Sequence, residues 1–230
     1  MLLGLEEFKR LTNRWIDATR IEEASTRLRD WEGWNRVENS KEDVYLCRKK
    51  VVEMCLNVKI GKETDDDDEE EDMNVSRSEE SDASLARVSA EDTEDRVAVL
   101  FEYHILLCPT YRVPTMYFKA ELPSRGRRMT IKEIWASMPS HYRTPETASR
   151  WAFVTQEEHP VLGRPFFCIH PCHTAEIMLR LLESKRVSPF DGRIPQTYLL
   201  AWFSLIAPVV HLQPPSIEEH KALEQKLESL

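Results

Sequence analysis

The chain has 230 residues, 41% of them apolar, with six Trp and five Cys, enough for one domain with a sizeable core. Its formal charge of −9 is unevenly placed: residues 61–95 hold sixteen acidic and three basic side chains, a net of −13, so the remainder sums to +4. A mildly basic body without a basic, aromatic-laced stripe gives nucleic acid little support as a partner and suits an acidic protein surface at least as well.

The opening "MLLGLEEFKR" lacks a basic start and turns charged early, so no export leader is expected. With an odd cysteine count, this points to free thiols in a reducing, cytoplasmic compartment. Residues 4–19 read as an amphipathic helix, because Leu5, Phe8, Leu11, Trp15 and Ile16 recur at helical spacing. Residues 43–60, "DVYLCRKKVVEMCLNVKI", read as one or two strands. Residues 61–95 have few apolar side chains and like charges in blocks, which predicts a disordered acidic insertion. Two aromatic-rich apolar runs then flank the turn-like "CPTYR", a hairpin over about 97–120.

"MTIKEIWASM" reads as a short helix, with Thr130 as N-cap and Glu133 at the capping-box position. "SHYRTPET" breaks it, and 151–170 reads as extended chain punctuated by Pro160, Gly163 and Pro165. A helix is expected from about 174 to 184 with Thr174 as a possible cap, then a "SPFDGRIPQ" loop, a buried helix at about 196–207, and a last amphipathic helix at 216–229 opened by Ser216 and Glu219. The apolar run "YLLAWFSLIAPVV", interrupted by Pro208, is too short to span a bilayer comfortably, so stable membrane insertion is not expected. The order of elements predicts an α+β domain: an antiparallel sheet of about four strands packed against helices. Residues 1–60 supply its first helix and strands, 61–95 the insertion, and 96–230 the remainder with the chemistry.

That chemistry centres on "PFFCIHPCHTAEIML", residues 165–179. Cys168, His170, Cys172 and His173 are all competent zinc ligands, but structural zinc sites pair ligands from two separated loops, and here four crowd into six positions around Pro171. The other histidines, His104, His141, His159, His211 and His220, have no spacing that completes a site. A dithiol is disfavoured because three residues separate Cys168 from Cys172, where the redox signature has two. The third reading is a lone nucleophile. Cys172 follows a stiff proline and precedes a helix, where the helix dipole and unpaired N–H groups favour a thiolate. Hydrolysis would need an oriented base, for which His104 or His141 are the candidates, and the surrounding sequence is unlike a protease. A carrier thioester needs only the sulfur and docking surfaces, and no phosphate loop or dinucleotide fingerprint points elsewhere.

"YRVPTMYFKA" (111–120), "WAFVTQEEHPVLGRPFFCIHPCHT" (151–174) and "YLLAWFSLIAPVV" (198–210) resemble the autophagy-related protein ten family, diverged relatives of ubiquitin-conjugating enzymes. The pairing of "TQEEHP" with "HPC-x-T" carries the resemblance. It implies a conjugating-enzyme-like fold and a carrier function without cofactor or metal. Autophagy-related protein seven would activate the ubiquitin-like autophagy-related protein twelve, Cys172 would hold it as a thioester, and a lysine of autophagy-related protein five would receive it. No separate ligase is implied, so the acceptor would dock on the chain itself, along the hairpin at about 97–120. Ordinary conjugating enzymes have His-Pro-Asn upstream of the cysteine; this chain has His170-Pro171-Cys172 and no such Asn. Oxyanion support is then expected from N–H groups at the helix start or from polar strand residues, Tyr103 and His104. His170 is expected to support the turn, Thr174 to cap the helix, and His159 to stabilise its own turn. The competing reading is a non-catalytic binding module with a degenerate fold of this kind.

Overall fold

The computed structural model describes residues 3–20, 29–39, 43–56, 96–140, 154–184, 195 and 197–229. The acidic stretch 61–95, residues 141–147 of the "SHYRTPET" break (His141 included), most of the "SPFDGRIPQ" loop and the side chain of His173 lie outside the described residues.

Helix α1 spans Leu5–Ala18. Its stripe of Phe8, Leu11, Trp15 and Ala18 is buried, while Glu6 and Glu7 place negative charge in the first turn, where the dipole favours it. Seven strands follow among the described residues: β1 (Asn35–Glu38), β2 (Val44–Cys55), β3 (Arg96–Cys108), β4 (Val113–Leu122), β5 (Arg127–Arg128), β6 (Val154–Glu158) and β7 (Pro165–Ile169). They form one antiparallel sheet in the order β1-β2-β3-β4-β7-β6, with β5 paired to β4. The expected hairpin is β3–β4, in register from Leu100↔Glu121 to Cys108↔Val113. The expectation of about four strands falls short because β1, β5 and the β6–β7 pair are short segments without the long apolar runs that mark β2, β3 and β4.

Helices α2 (Ile131–Ser137), α3 (Cys172–Ser184), α4 (Tyr198–Ile206) and α5 (Ile217–Ser229) are the other α-helices among the described residues. Alternation along the strands sorts residues to two faces. Phe101, Tyr103 and Ile105 of β3, Met116, Phe118 and Ala120 of β4, and Phe167 and Ile169 of β7 join the main core with the helices. Trp15 of α1 meets Phe203 of α4 at 5.5 Å between ring centres, and Trp34 closes on Phe203 edge-on at 6.1 Å. Helix α4 buries Tyr198, Leu199, Leu200, Trp202, Phe203 and Ile206; each large apolar side chain of this kind stabilises by about 1.5–3 kcal/mol. At nine residues it is a core helix, and no helix among the described residues is long and apolar enough to cross a membrane.

Two features organise the rest. The capping box at α2 forms as expected, with Thr130 and Glu133 exchanging hydrogen bonds, and Arg127 grips the same carboxylate through two bonds of 2.8 and 2.7 Å. Glu133 is held at about 2, first by the Arg127 hydrogen bond. Asp30, 6% exposed, ties its own loop to two remote segments: it accepts from Arg48 at 3.2 Å and Lys50 at 2.6 Å, both on β2, and from the backbone N–H of Gln213 at 2.7 Å.

Candidate active site

Strand β7 runs into the site because β-branched and aromatic residues keep it extended and Pro171 then stops the ladder. Helix α3 begins at Cys172, two residues earlier than expected. The Pro171 carbonyl accepts the first helical bond, from Ala175 N–H at 2.8 Å. A proline ahead of a helix costs no hydrogen bond, since the first N–H groups are unpaired anyway. This corrects the reading of Thr174 as a cap: it sits inside the first turn, 6% exposed.

Cys172 is half-buried at the leading end of a 13-residue helix. Its backbone N–H donates to His170 Nδ1 at 3.3 Å, so His170 braces the turn. The outer side of His170 meets the Tyr111 ring edge-on, with centres 5.3 Å apart. Tyr111 belongs to the tip of the β3–β4 hairpin, which is tightly closed: Arg112 adopts a left-handed φ of 56° and its N–H donates to Cys108 O at 2.7 Å. The chain's first described residue clamps that tip, Leu3 N–H donating to Arg112 O at 2.7 Å and Arg112 Nε to Leu3 O at 3.2 Å. Tyr111 is absent from the candidates read from the sequence, where "CPTYR" registers only as a turn. The signal available was an aromatic residue at a tight tip, where no core claims it.

Cys168 is different. It is 1% exposed, and its thiol is pushed up to about 12, first by burial and then by Glu157. It faces Tyr117 across the β4–β7 pairing and is a packed sulfur.

The two strand candidates for oxyanion support are corrected by alternation. Tyr103 points into the core, 0% exposed, stacked on Phe101 at 5.5 Å, and its hydroxyl donates to Val210 O at 2.8 Å. Burial raises it well above the usual phenol range. His104 lies on the opposite, outer face, level with Tyr117 and Cys168 in the sheet register. Both its nitrogens are engaged, Nδ1 with His159 at 2.9 Å and Nε2 with Glu102 at 3.1 Å. Adjacent residues on one strand face opposite ways, so they cannot share one site. His159 holds its own turn as expected, its Nδ1 accepting from Val161 and Leu162 N–H at 3.2 Å each. Glu176 is exposed and paired with Arg180 at 2.6 Å.

Among the described residues, no group of three or more His, Cys, Asp or Glu is arranged to hold a metal. What the arrangement offers is one accessible thiol at a helix start, braced by an imidazole, and first-turn N–H groups that are donors for an anion formed beside the sulfur.

Residues 7–217 match the family model described as autophagocytosis associated protein, active-site domain. The chain is 37% identical over 117 residues to the ubiquitin-like-conjugating enzyme ATG10 of Homo sapiens, covering 51% of this chain and 51% of that protein. It is 31% identical over 179 residues to the protein of the same name from Arabidopsis thaliana, covering 77% and 76%, and 31% identical over 121 residues to that from Dictyostelium discoideum, covering 51% and 53%. The match thus spans about half the length of the human and Dictyostelium relatives and three quarters of the plant one. With its antiparallel sheet and helices in the conjugating-enzyme-like arrangement, the chain belongs to the autophagocytosis-associated active-site-domain family and, within it, to the autophagy-related protein ten family.

Proposed function

We propose that the chain is a cytoplasmic conjugating enzyme that carries autophagy-related protein twelve as a thioester on Cys172 and transfers it to a lysine of autophagy-related protein five. The observation that carries this reading is the contrast at the end of β7: Cys168 is 1% exposed, whereas Cys172 is only half-buried, at the head of α3.

Autophagy-related protein seven supplies the ubiquitin-like protein as its own thioester. The Cys172 sulfur attacks that carbonyl, a new C–S bond forms, and the activating enzyme's thiolate leaves. The acceptor lysine, as a free amine, then attacks the carrier thioester. A C–N bond forms, the C–S bond breaks, the lysine proton passes by way of solvent to the leaving sulfur, and the Cys172 thiol is restored. The tetrahedral oxyanion in both steps is met by first-turn N–H groups of α3, in place of the Asn that this chain lacks. His170 keeps the turn geometry by accepting the Cys172 N–H. The acceptor docks along the β3–β4 hairpin, whose tip reaches the site through Tyr111.

The test is reconstitution with activating enzyme, ATP and the ubiquitin-like protein, followed by gels with and without reductant. A reductant-sensitive adduct that Cys172→Ala abolishes supports the carrier. An adduct formed equally by Cys172→Ala sinks it, and so does no adduct with Cys172 resistant to alkylation in the native protein. That last result is the outcome for a non-catalytic binding module.

A further inference from the structure

The outer face of the sheet holds a second buried cluster that the carrier chemistry does not use. His104 on β3 and His159, the first residue beyond β6, are 3% and 0% exposed. Their rings meet Nδ1 to Nε2 at 2.9 Å. A neutral imidazole has one donor nitrogen and one acceptor. The amides of Val161 and Leu162, each 3.2 Å from His159 Nδ1, require that nitrogen to be the acceptor. The proton is therefore on His159 Nε2, which donates to His104 Nδ1. His104 then carries its own proton on Nε2 and donates to Glu102 Oε1 at 3.1 Å. The other Glu102 oxygen takes Lys119 Nζ at 3.0 Å. Every donor in the series points from the turn toward Glu102.

We propose that this one-way series, from the Val161 and Leu162 amides through His159 and His104 to Glu102, is a latch that fastens the 159–164 turn to the outer face of the sheet, and that one added proton opens it. A proton on His159 Nδ1 meets two N–H groups. A proton on His104 Nδ1 meets the His159 Nε2–H, and moving that proton round to His159 Nδ1 restores the first conflict. Each route displaces the turn, because the His159 ring or the amides it holds must shift.

The groups facing the pair do not relieve this. From β2 come Tyr45, Cys47 and Lys49, from β4 Tyr117 and Lys119, and from β7 Cys168; Glu157 of β6 lies beside Tyr117 and Cys168 and accepts from Thr155 at 2.7 Å, while Glu158 and Arg164 flank the turn and are exposed. Glu102 favours a charged His104, but burial outweighs it and His104 is lowered. His159 is held at about 4, by burial first and by His104 second. A depressed histidine contributes stability that is complete above its ordinary value and is lost as pH falls toward the folded one. Opening lifts the turn from Tyr45, Tyr117 and Phe166, whose ring centres lie 5.8, 5.2 and 4.8 Å from His159. The strand leaving the turn is β7, which delivers Cys172.

His211, on the inner face beside Phe101 and Ser137, is also held at about 4 by burial and Lys50. Acid melting of the whole chain therefore does not report the latch, and a local probe is needed. The experiment is amide hydrogen exchange on the full chain from pH 7.5 to pH 5, corrected for intrinsic rates. The Val161 and Leu162 protection should fall about tenfold per unit below roughly pH 6.5, faster than amides in β3 and β4. In His159→Asn the shorter Oδ1 replaces Nδ1 as acceptor, so protection of these amides becomes independent of pH. In His159→Gln the amide reaches His104 but not the turn, so protection is low throughout. A flat wild-type profile, a slope no steeper than that of β3 and β4, or an unchanged slope in His159→Asn overturns the latch. Where that variant does not fold, ring nitrogen spectra of the wild type decide. Two neutral rings protonated on Nε2 at pH 7.5 uphold the latch, and a charged or Nδ1-protonated ring refutes it.

Discussion

Cys168 and Cys172 lie within one short stretch of chain, on either side of a proline, in opposite environments. Cys168 ends up inside because β7 is flanked by β4 and β6, and its side of the sheet is roofed by Tyr117 and the neighbouring turn. Cys172 stays half-buried because Pro171 ends the ladder and the helix starts at once, so no strand continues past it. The difference is made by backbone, not by the thiol. An element that continues past a residue seals it, and an element that begins at a residue leaves it open.

The comparison breaks most completely under substitution. Cys172→Ala should abolish the reductant-sensitive adduct, and Cys172→Ser should give an adduct that resists reductant. Cys168→Ala should leave adduct formation intact and cost about 1–3 kcal/mol in denaturant unfolding, as expected for a small deletion in a packed site. If Cys168→Ala loses the adduct and Cys172→Ala does not, the assignment is inverted. Alkylation followed by mass spectrometry sharpens the same contrast. At pH 8 a thiol near 12 is ionised to about one part in ten thousand, so Cys168 should react only after denaturation while Cys172 reacts in the native protein.

Smaller effects probe what holds the open cysteine. His170→Ala should slow thioester formation by about fivefold, on the scale of one lost hydrogen bond of about 1 kcal/mol. His170→Asn should recover most of it, because Asn Oδ1 takes the place of Nδ1. Equal losses in both variants would show that the ring does more than brace the turn. Tyr103→Phe should lose about 1 kcal/mol of stability with its bond to Val210 O and leave the thioester rate unchanged. Least of all should follow from replacing 61–94 with a short Gly-Ser turn. Cys55 and Arg96 are already paired across β2 and β3, so closing that end asks little of the fold, and melting within a few degrees of wild type is expected.

Much of this was legible because it is local. Thr130 and Glu133 announce the start of α2, Ser216 and Glu219 that of α5, and "CPTYR" the β3–β4 tip. Cys172 itself stood out through its proline and its following helix. What the chain order hides is which segments meet. Arg127 reaching Glu133, Leu3 clamping Arg112 and Tyr111 resting on His170 all depend on tertiary placement. The helix start was misplaced because Thr174 has a capping side chain, whereas a proline ahead of the helix needs no cap at all. Tyr103 and His104 show a different failure. They are consecutive residues of β3, and alternation along a strand sends consecutive side chains to opposite faces, so they cannot share a site.

Asp30 has a consequence for how the chain reaches this state. Its carboxylate takes one donor from Gln213, 183 residues away, alongside two from β2. During synthesis the early partners emerge long before the late one, so the early-made half carries a buried anion with an incomplete shell until the C-terminal segment arrives. Closure of that long loop is slow relative to hairpin formation. A refolding time course should therefore show β2–β3 protection first and Gln213 amide protection last, and a chain cut short of residue 213 should linger in the earlier state as a client for chaperones.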